Sequence, residues 1–422
     1  GNKRNRGSIK AFREAFGNLA ILRSLCKEGT PILSLTGTAD KSTVNAIKTS
    51  LSMKSPIEIF VSPNRLNIRI SVSKCSKVDM LSQLNWLIEL VKEKGTNTPK
   101  TLIFCNTMNE IARVCNYLLL KLGDSAFCQS GEKLAENCMI GIYHSATWDT
   151  QTQRIVDALK NTESCSSRII VATTALSMGV NFPDIRYIIN WGPPRTLLDY
   201  HQEIGRAGRD GKQSDALIIF NGQQLSHCED DVKYFAKSSN CYRVASLFPF
   251  DANIKPLEPL HNCCSLCRGT CSCIECDDKA LESLPFETIE TVVGYSDGPS
   301  FIRSVSYDDQ EDLKSALTEL FESFVNKQDE MDVNFYEQLT TEIVSNCEKI
   351  FTLEDIITNY AVFSVKRAIS ILDIFNDIFN DITSIPLFRE LEFIDCLVDQ
   401  PFWSVTNYTG HYSSSESDSE IV

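Results

Sequence analysis

From about residue 77 to residue 220 the chain alternates two hydrophobic patterns. Short continuous apolar runs, TLIFC (101–105), MIGIY (139–143), RIIVAT (168–173), IRYIIN (185–190) and DALIIF (215–220), predict buried strands. Between them, apolar positions recur every three or four residues, which predicts helices over 78–94, 109–121, 149–160 and 196–205. In the second of these, Ile111, Val114, Cys115, Leu118 and Leu122 fall on one face and are expected to meet a sheet. Continuous apolar strands separated by amphipathic helices predict an α/β fold with a mainly parallel sheet covered on both faces. Ligand sites in such sheets lie at the carboxyl ends of the strands.

The flanks read differently. PILSLT (31–36) predicts a buried strand running into the turn TGTA (36–39), followed by a helix over 40–51, and NIRISVS (67–73) predicts another strand before a change of domain. Residues 277–305 carry Pro285, Gly294, Gly298 and Pro299 among Ser and Asp and are expected to be a linker. A mostly helical module follows, in which Val365, Ala368, Ile369, Leu372, Phe375, Ile378 and Phe379 build one apolar face, expected as core rather than a partner groove. The tail SSSESDSE (413–420) is too polar and acidic to bury and is expected to be disordered.

Charge divides along the same seam. Residues 1–276 hold 33 Lys and Arg against 25 Asp and Glu, whereas 277–422 hold 8 against 30. A mildly basic body suits a phosphate polymer, and the acidic end would repel the same polymer. Simple solvated surface is the other reading of such a division. No run of about 18 apolar residues occurs, so the sequence predicts no membrane-spanning helix. At 422 residues there is room for two to three domains; the chain starts with Gly, shows no secretory signal and reads as part of a longer protein. Six of its 17 cysteines crowd into Cys263–Cys276, which without a secretory signal favours a metal in a reducing compartment over disulfides.

Two segments carry candidate chemistry. QEIGRAGRDG (202–211) sets Arg206 and Arg209 three apart in a glycine-lined turn, and paired guanidinium groups suit the negative charge that develops on a nucleotide's terminal phosphate. HNCCSLCRGTCSCIEC (261–276) places Cys264 and Cys267 where both thiolates can face one tetrahedral ion.

TGTA (36–39), TLIFCNT (101–107), YHSATWDTQ (143–151), VATTALSMGVNFPDIRYIINWGPP (171–194) and HQEIGRAGRDG (201–211) resemble, in order and spacing, motifs of the RecQ family of superfamily 2 DNA helicases. The resemblance covers roughly residues 10–276. It implies a RecA-like sheet, then a small helical zinc-binding module and an acidic, mostly α-helical C-terminal region. The implied domains are 1–72, the end of a first RecA-like domain; 73–222, a second; 223–276, the zinc module; 277–305, the linker; 306–400, the acidic module; and 401–422, the tail. No GxxxxGK[ST] loop and no DExH box occurs, so ATP and Mg are expected to be bound mainly by an upstream domain, and this chain by itself is expected to lack ATPase activity.

Within the resemblance, Arg206 and Arg209 would meet the terminal phosphate, Arg209 as the arginine finger. Gln202 would position them, with Gly179 and Asn181 near the nucleotide. Thr107, Thr173 and Thr174 would bind successive phosphates of single-stranded DNA; as single residues each serves equally well as a helix cap. Thr36 and Thr38 would couple nucleotide state to domain closure, although TGTA stands where the family usually has TATA. Zinc is expected on Cys241, Cys264, Cys267 and Cys271, with Cys263, Cys273, Cys276 and His261 as alternates and a second site open for Cys273 and Cys276. The implied activity is ATP-dependent 3'–5' DNA unwinding in recombination or repair, on single-stranded DNA or a 3' overhang, in the nucleus. The acidic region is expected to offer a docking surface for a protein partner. The other functions open to this sequence are a DNA-binding or strand-annealing protein that has no motor and, as a weaker match because those proteins usually read HRxGRxGR, an RNA helicase of the DEAD-box type.

Overall fold

The computed structural model describes residues 21–382 apart from 28, 38, 78, 129–136, 145–148, 161–166, 178–181, 278–285, 287–301, 324–329 and 363–364. Its main elements in chain order begin with α1 (Lys41–Ser50), β1 (Ile68–Lys74), α2 (Asn85–Lys94), β2 (Lys100–Cys105), α3 (Met108–Leu122), β3 (Ile140–Tyr143) and α4 (Asp149–Lys160). They continue with β4 (Ile169–Ala172), β5 (Ile185–Trp191), α5 (Leu197–Ile204), β6 (Ser214–Phe220), α6 (Asp230–Ala236) and α7 (Tyr242–Leu247). The two short turns α8 (Ser265–Arg268) and α9 (Ile274–Asp277) precede α10 (Tyr307–Glu322), α11 (Glu330–Ser345), α12 (Leu353–Asn359) and α13 (Val365–Phe379).

The chain packs as two compact units, one from 1–80 with 181–283, the other from 81–180 with 284–422. In the first, β6 is flanked by parallel β1 and β5. Every residue of β6 is buried, as expected of a strand covered on both faces. Arg69 and Asp215 are register partners across β1 and β6, and their side chains form a buried ion pair at 2.7 Å.

In the second unit β4 lies between parallel β2 and β3. Against it α3 buries Ile111, Val114, Cys115, Leu118 and Leu122, the face that the spacing predicts. Each such fully buried aliphatic side chain contributes about 1.5–3 kcal/mol. The helix starts at Thr107, whose hydroxyl accepts from the Glu110 N–H.

The helices α10–α13 close over a core of their own that includes Leu317, Phe321, Ile343, Ile356, Leu372 and Phe375. The expected apolar face is core: Ala368 and Ile369 are buried, and Ile378 and Phe379 pack against it. This core continues into α3, since Leu120 packs on it and the buried Asn116 donates to the Val362 carbonyl.

One expectation changes. Residues 31–36 form no strand: Leu33 and Leu35 are 80% and 84% exposed. A parallel strand needs neighbours on its edges and cover on its faces, and the described residues offer 31–36 neither. The expected strand at 67–73 is present as β1 and pairs along its whole length with β6. Near the start of the helical module, Arg303 is an anchor. It donates to both carboxylate oxygens of Asp381 at 2.7 Å and to the Ile350 carbonyl, with Phe351 and Phe379 stacked on its guanidinium. A turn-rich composition conceals a single well-partnered arginine. Of the other expectations, the tail 401–422 lies outside the described residues. Among the described residues no helix is long and apolar enough to cross a membrane.

Candidate functional site: an arginine turn beside a cysteine-rich module

The arginine turn begins where α5 ends. Thr196 caps that helix by accepting from the Asp199 N–H, and Gly205 terminates it. Beyond it, Gly208 adopts φ +55°, and a Cβ there would stand 2.4 Å from Asn67 Nδ2 and 2.8 Å from the Lys212 carbonyl. Only glycine fits this position. Its carbonyl accepts from Arg65 Nη2 at 2.8 Å and from Asn67 Nδ2 at 2.7 Å. Arg65 also donates to the Ala207 carbonyl, and Arg186 grips Asp210 through both carboxylate oxygens. The turn is therefore fixed from the segment leading into β1 and from β5 before any ligand arrives.

On this frame Arg206 is buried and Arg209 is exposed. Burial, and then the charge of Arg209, holds the Arg206 guanidinium below its ordinary value; burial and then Arg65 do the same to Arg209. Crowded guanidinium groups that depress one another in this way gain from a multiply charged anion, which relieves the repulsion of all of them at once. Gln202, expected to position them, is exposed on α5.

His201, in the same motif, faces inward. Its Nε2 lies 3.0 Å from the Ser246 carbonyl and its ring meets Phe250 edge-on, so it joins α5 to the module that follows. Burial pushes this imidazole down to about 4. Arg243, which sequence reasoning missed, is 1% exposed and donates to Asn64 Oδ1, to the Arg65 and Ile68 carbonyls and to the Cys263 carbonyl. Its one sequence mark is a lone cation among the apolar residues of α7.

The module holds two groups of soft donors. Cys241, Cys263, Cys264 and Cys267 come together, with Cys241 Sγ at 3.5 Å from Cys263 Sγ and 4.0 Å from Cys264 Sγ. Backbone N–H groups of Leu257 and Cys267 point at the sulfurs of Cys263 and Cys264. Side-chain hydrogen bonding with Cys241 and Cys263 holds the Cys264 thiol far below its ordinary value. Four cysteines so arranged fit a closed tetrahedral zinc site. Of the expected set Cys241, Cys264 and Cys267 lie together with Cys263, whereas the Sγ of Cys271 turns to His261 Nδ1 in the other group. The reason is local, since the turn of α8 brings Cys263, Cys264 and Cys267 to one side while Cys271 lies past its end.

In the second unit, Thr107 follows β2 and Thr173 follows β4, and these parallel strands pair up to Phe104 and Ala172. Both threonines, together with Thr174, thus stand at one sheet end. The Thr107 hydroxyl serves as the cap of α3; Thr173 donates its N–H to the Tyr143 carbonyl, and Thr174 is exposed. Thr36 is exposed in its turn. Thr38, Gly179 and Asn181 lie outside the described residues.

Residues 82–211 match the helicase conserved C-terminal domain, a span that includes the threonines at the strand ends and both arginines of the turn. The chain is 26% identical over 270 residues to the ATP-dependent DNA helicase Q-like 2 of Arabidopsis thaliana, covering 61% of this chain and 35% of that protein. It is 29% identical over 210 residues to the ATP-dependent DNA helicase RecQ of Pasteurella multocida, covering 50% and 29%. It is 30% identical over 210 residues to the probable ATP-dependent DNA helicase RecS of Bacillus subtilis, covering 49% and 37%. Residues 82–211 are thus similar to a helicase conserved C-terminal domain, and about half of the chain is similar to RecQ-like DNA helicases. It spans about a third of the length of these relatives.

Proposed function

We propose that this chain supplies the second motor domain and zinc module of an ATP-dependent DNA helicase that moves 3' to 5' in recombination or repair in the nucleus. The observation that carries this reading is the arginine turn, held rigid by Arg65, Asn67 and Arg186 while Arg209 stays exposed. Arg206 and Arg209 are the residues that would meet the terminal phosphate of ATP, with Mg and the remaining phosphates held by a RecA-like domain outside the sequence motifs present here. Gln202, Gly179 and Asn181 would line the nucleotide side, and Thr36 and Thr38 would couple nucleotide state to closure. The exposed apolar side chains of Leu33, Leu35, Ile57, Ile59 and Val61 support assigning the first residues to a domain that covers them.

Thr107, Thr173 and Thr174, set at one sheet end, would hold the backbone of single-stranded DNA through N–H and hydroxyl groups, without reading its bases. Cys241, Cys263, Cys264 and Cys267 would hold a structural zinc ion that ties α7 to α8. The acidic exterior of the C-terminal helices would keep DNA away from that side and offer itself to a protein partner.

Expressed from its complete coding sequence, the protein is expected to hydrolyse ATP when single-stranded DNA is added, and Arg209→Ala to lower that turnover roughly 10³- to 10⁵-fold. Residues 1–422 alone are expected to hydrolyse none. Turnover by residues 1–422 alone, or an unaltered rate in Arg209→Ala, would overturn the assignment.

A further inference from the structure

Beside the four-cysteine group, the module assembles a second set of donors, His261, Cys271, Cys273 and Cys276. His261 Nδ1 stands 3.6 Å from Cys271 Sγ, 3.2 Å from Cys273 Sγ and 3.5 Å from Cys276 Sγ, and the last two sulfurs are 3.7 Å apart. Zinc holds thiolates at about 2.3 Å and imidazole nitrogen at about 2.0–2.1 Å, so a tetrahedral ion separates two sulfurs by about 3.8 Å and sulfur from nitrogen by about 3.6 Å. The observed separations match that figure closely enough for one ion to sit among all four donors.

The imidazole is also oriented for ligation. His261 is 1% exposed, and its other nitrogen, Nε2, donates to Glu275 Oε2 at 3.1 Å. A carboxylate on the far nitrogen favours the tautomer with its proton there, which leaves the Nδ1 lone pair toward the sulfurs. The backbone helps as well: Cys271 N–H bonds to the Arg268 carbonyl and Cys276 N–H to the Cys273 carbonyl, so the turns that present the sulfurs exist independently of an ion.

We propose that His261, Cys271, Cys273 and Cys276 bind a second zinc ion. Four protein ligands leave no open position, which makes the site structural rather than catalytic. The ion fixes α9 and the CSC turn before it onto His261, and so locks the chain at the end of the module. Glu275 is a positioning residue that acts through His261.

The test is a zinc count on purified residues 1–422, released by thiol modification and read with a chromogenic chelator. Two ions per chain are expected, falling to one in the Cys273→Ser, Cys276→Ser double variant. A Cys264→Ser, Cys267→Ser variant is expected to lose the other ion, which separates failure of this site from failure of the four-cysteine site. X-ray absorption at the zinc edge of the wild type should show a nitrogen ligand that disappears in His261→Ala. Glu275→Gln should keep both ions and release one to a competing chelator 10- to 100-fold more readily. A zinc count that does not fall in the Cys273→Ser, Cys276→Ser variant overturns the proposal. So does a Cys273–Cys276 disulfide found by mass after alkylation under reducing-buffer purification.

Discussion

Asn67 Nδ2 donates to the carbonyl of Gly208 at 2.7 Å, across 141 positions of sequence, and leaves no room for a side chain on that glycine. The strand that begins at Ile68 therefore sets the shape of the turn that displays Arg206 and Arg209. Gly208→Ala adds both a positive-φ penalty of about 1–2 kcal/mol and a clash with Asn67. It is expected to lower the midpoint of thermal unfolding of residues 1–422 by several degrees, and to reduce DNA-stimulated ATP turnover of the complete protein. An unchanged midpoint would mean that the turn tolerates a Cβ and is not rigid.

The buried pair His201 and Glu203 makes opposite demands on pH. Burial pushes the Glu203 carboxyl up to about 8, offset in part by the hydrogen bond from Asn190 and reinforced by Asp199. The folded chain keeps a proton that the unfolded chain releases above about 4.5, so this group's contribution falls as pH rises from about 4.5 to 8. His201, pushed down to about 4, works the other way, and stability falls as pH drops from about 6.5 toward 4. Glu203→Gln should keep the Asn190 bond and flatten the alkaline slope alone. Urea unfolding at pH 5, 6.5 and 8 tests this, and identical slopes in wild type and variant would remove Glu203 as the cause.

Arg303 is expected to hold the C-terminal helices together. Its loss in Arg303→Met leaves the Asp381 carboxylate and the Ile350 carbonyl without their donor and should cost roughly 3 kcal/mol, the lower end for a broken pair because Asp381 is about a third exposed. Since Asn116 ties the same helices to α3, the cost should also appear as faster amide exchange in α3. Exchange confined to residues 303–382 would show that the two parts unfold separately.

Metal removal should reach beyond the module. The Cys263 carbonyl accepts from both the Ile70 N–H and Arg243 Nη2, so an ion on Cys263, as proposed, would brace the edge of β1. A strong chelator is expected to lower the unfolding midpoint and to speed exchange at Ile70. Exchange at Ile70 that ignores the chelator would place the metal outside this linkage.

Most of the regular elements were legible in the sequence, because strands buried on both faces need unbroken apolar runs and α3 needs its three- and four-residue spacing. The arginine pair and the cysteine crowding were legible too, since glycine turns and paired thiols are rare together. Arg243 and Arg303 were not, as each is a single cation whose partners lie far away in sequence. Nor was the split of the donors into two groups: spacing shows which cysteines can share an ion, not which way a turn faces.

By itself, then, the sequence determined the order of strands and helices, the residues available for phosphate and metal chemistry, and the reversal of charge at the C-terminal end, all of which follow from local periodicity and residue type. Only the tertiary structure decided that β1 joins β6, that Cys263 and not Cys271 lies with Cys241, Cys264 and Cys267, and that His261 turns its Nδ1 to three sulfurs with Glu275 behind it. These depend on register and on the direction of side chains across long separations, where the free energy of packing selects among pairings that local pattern leaves equal.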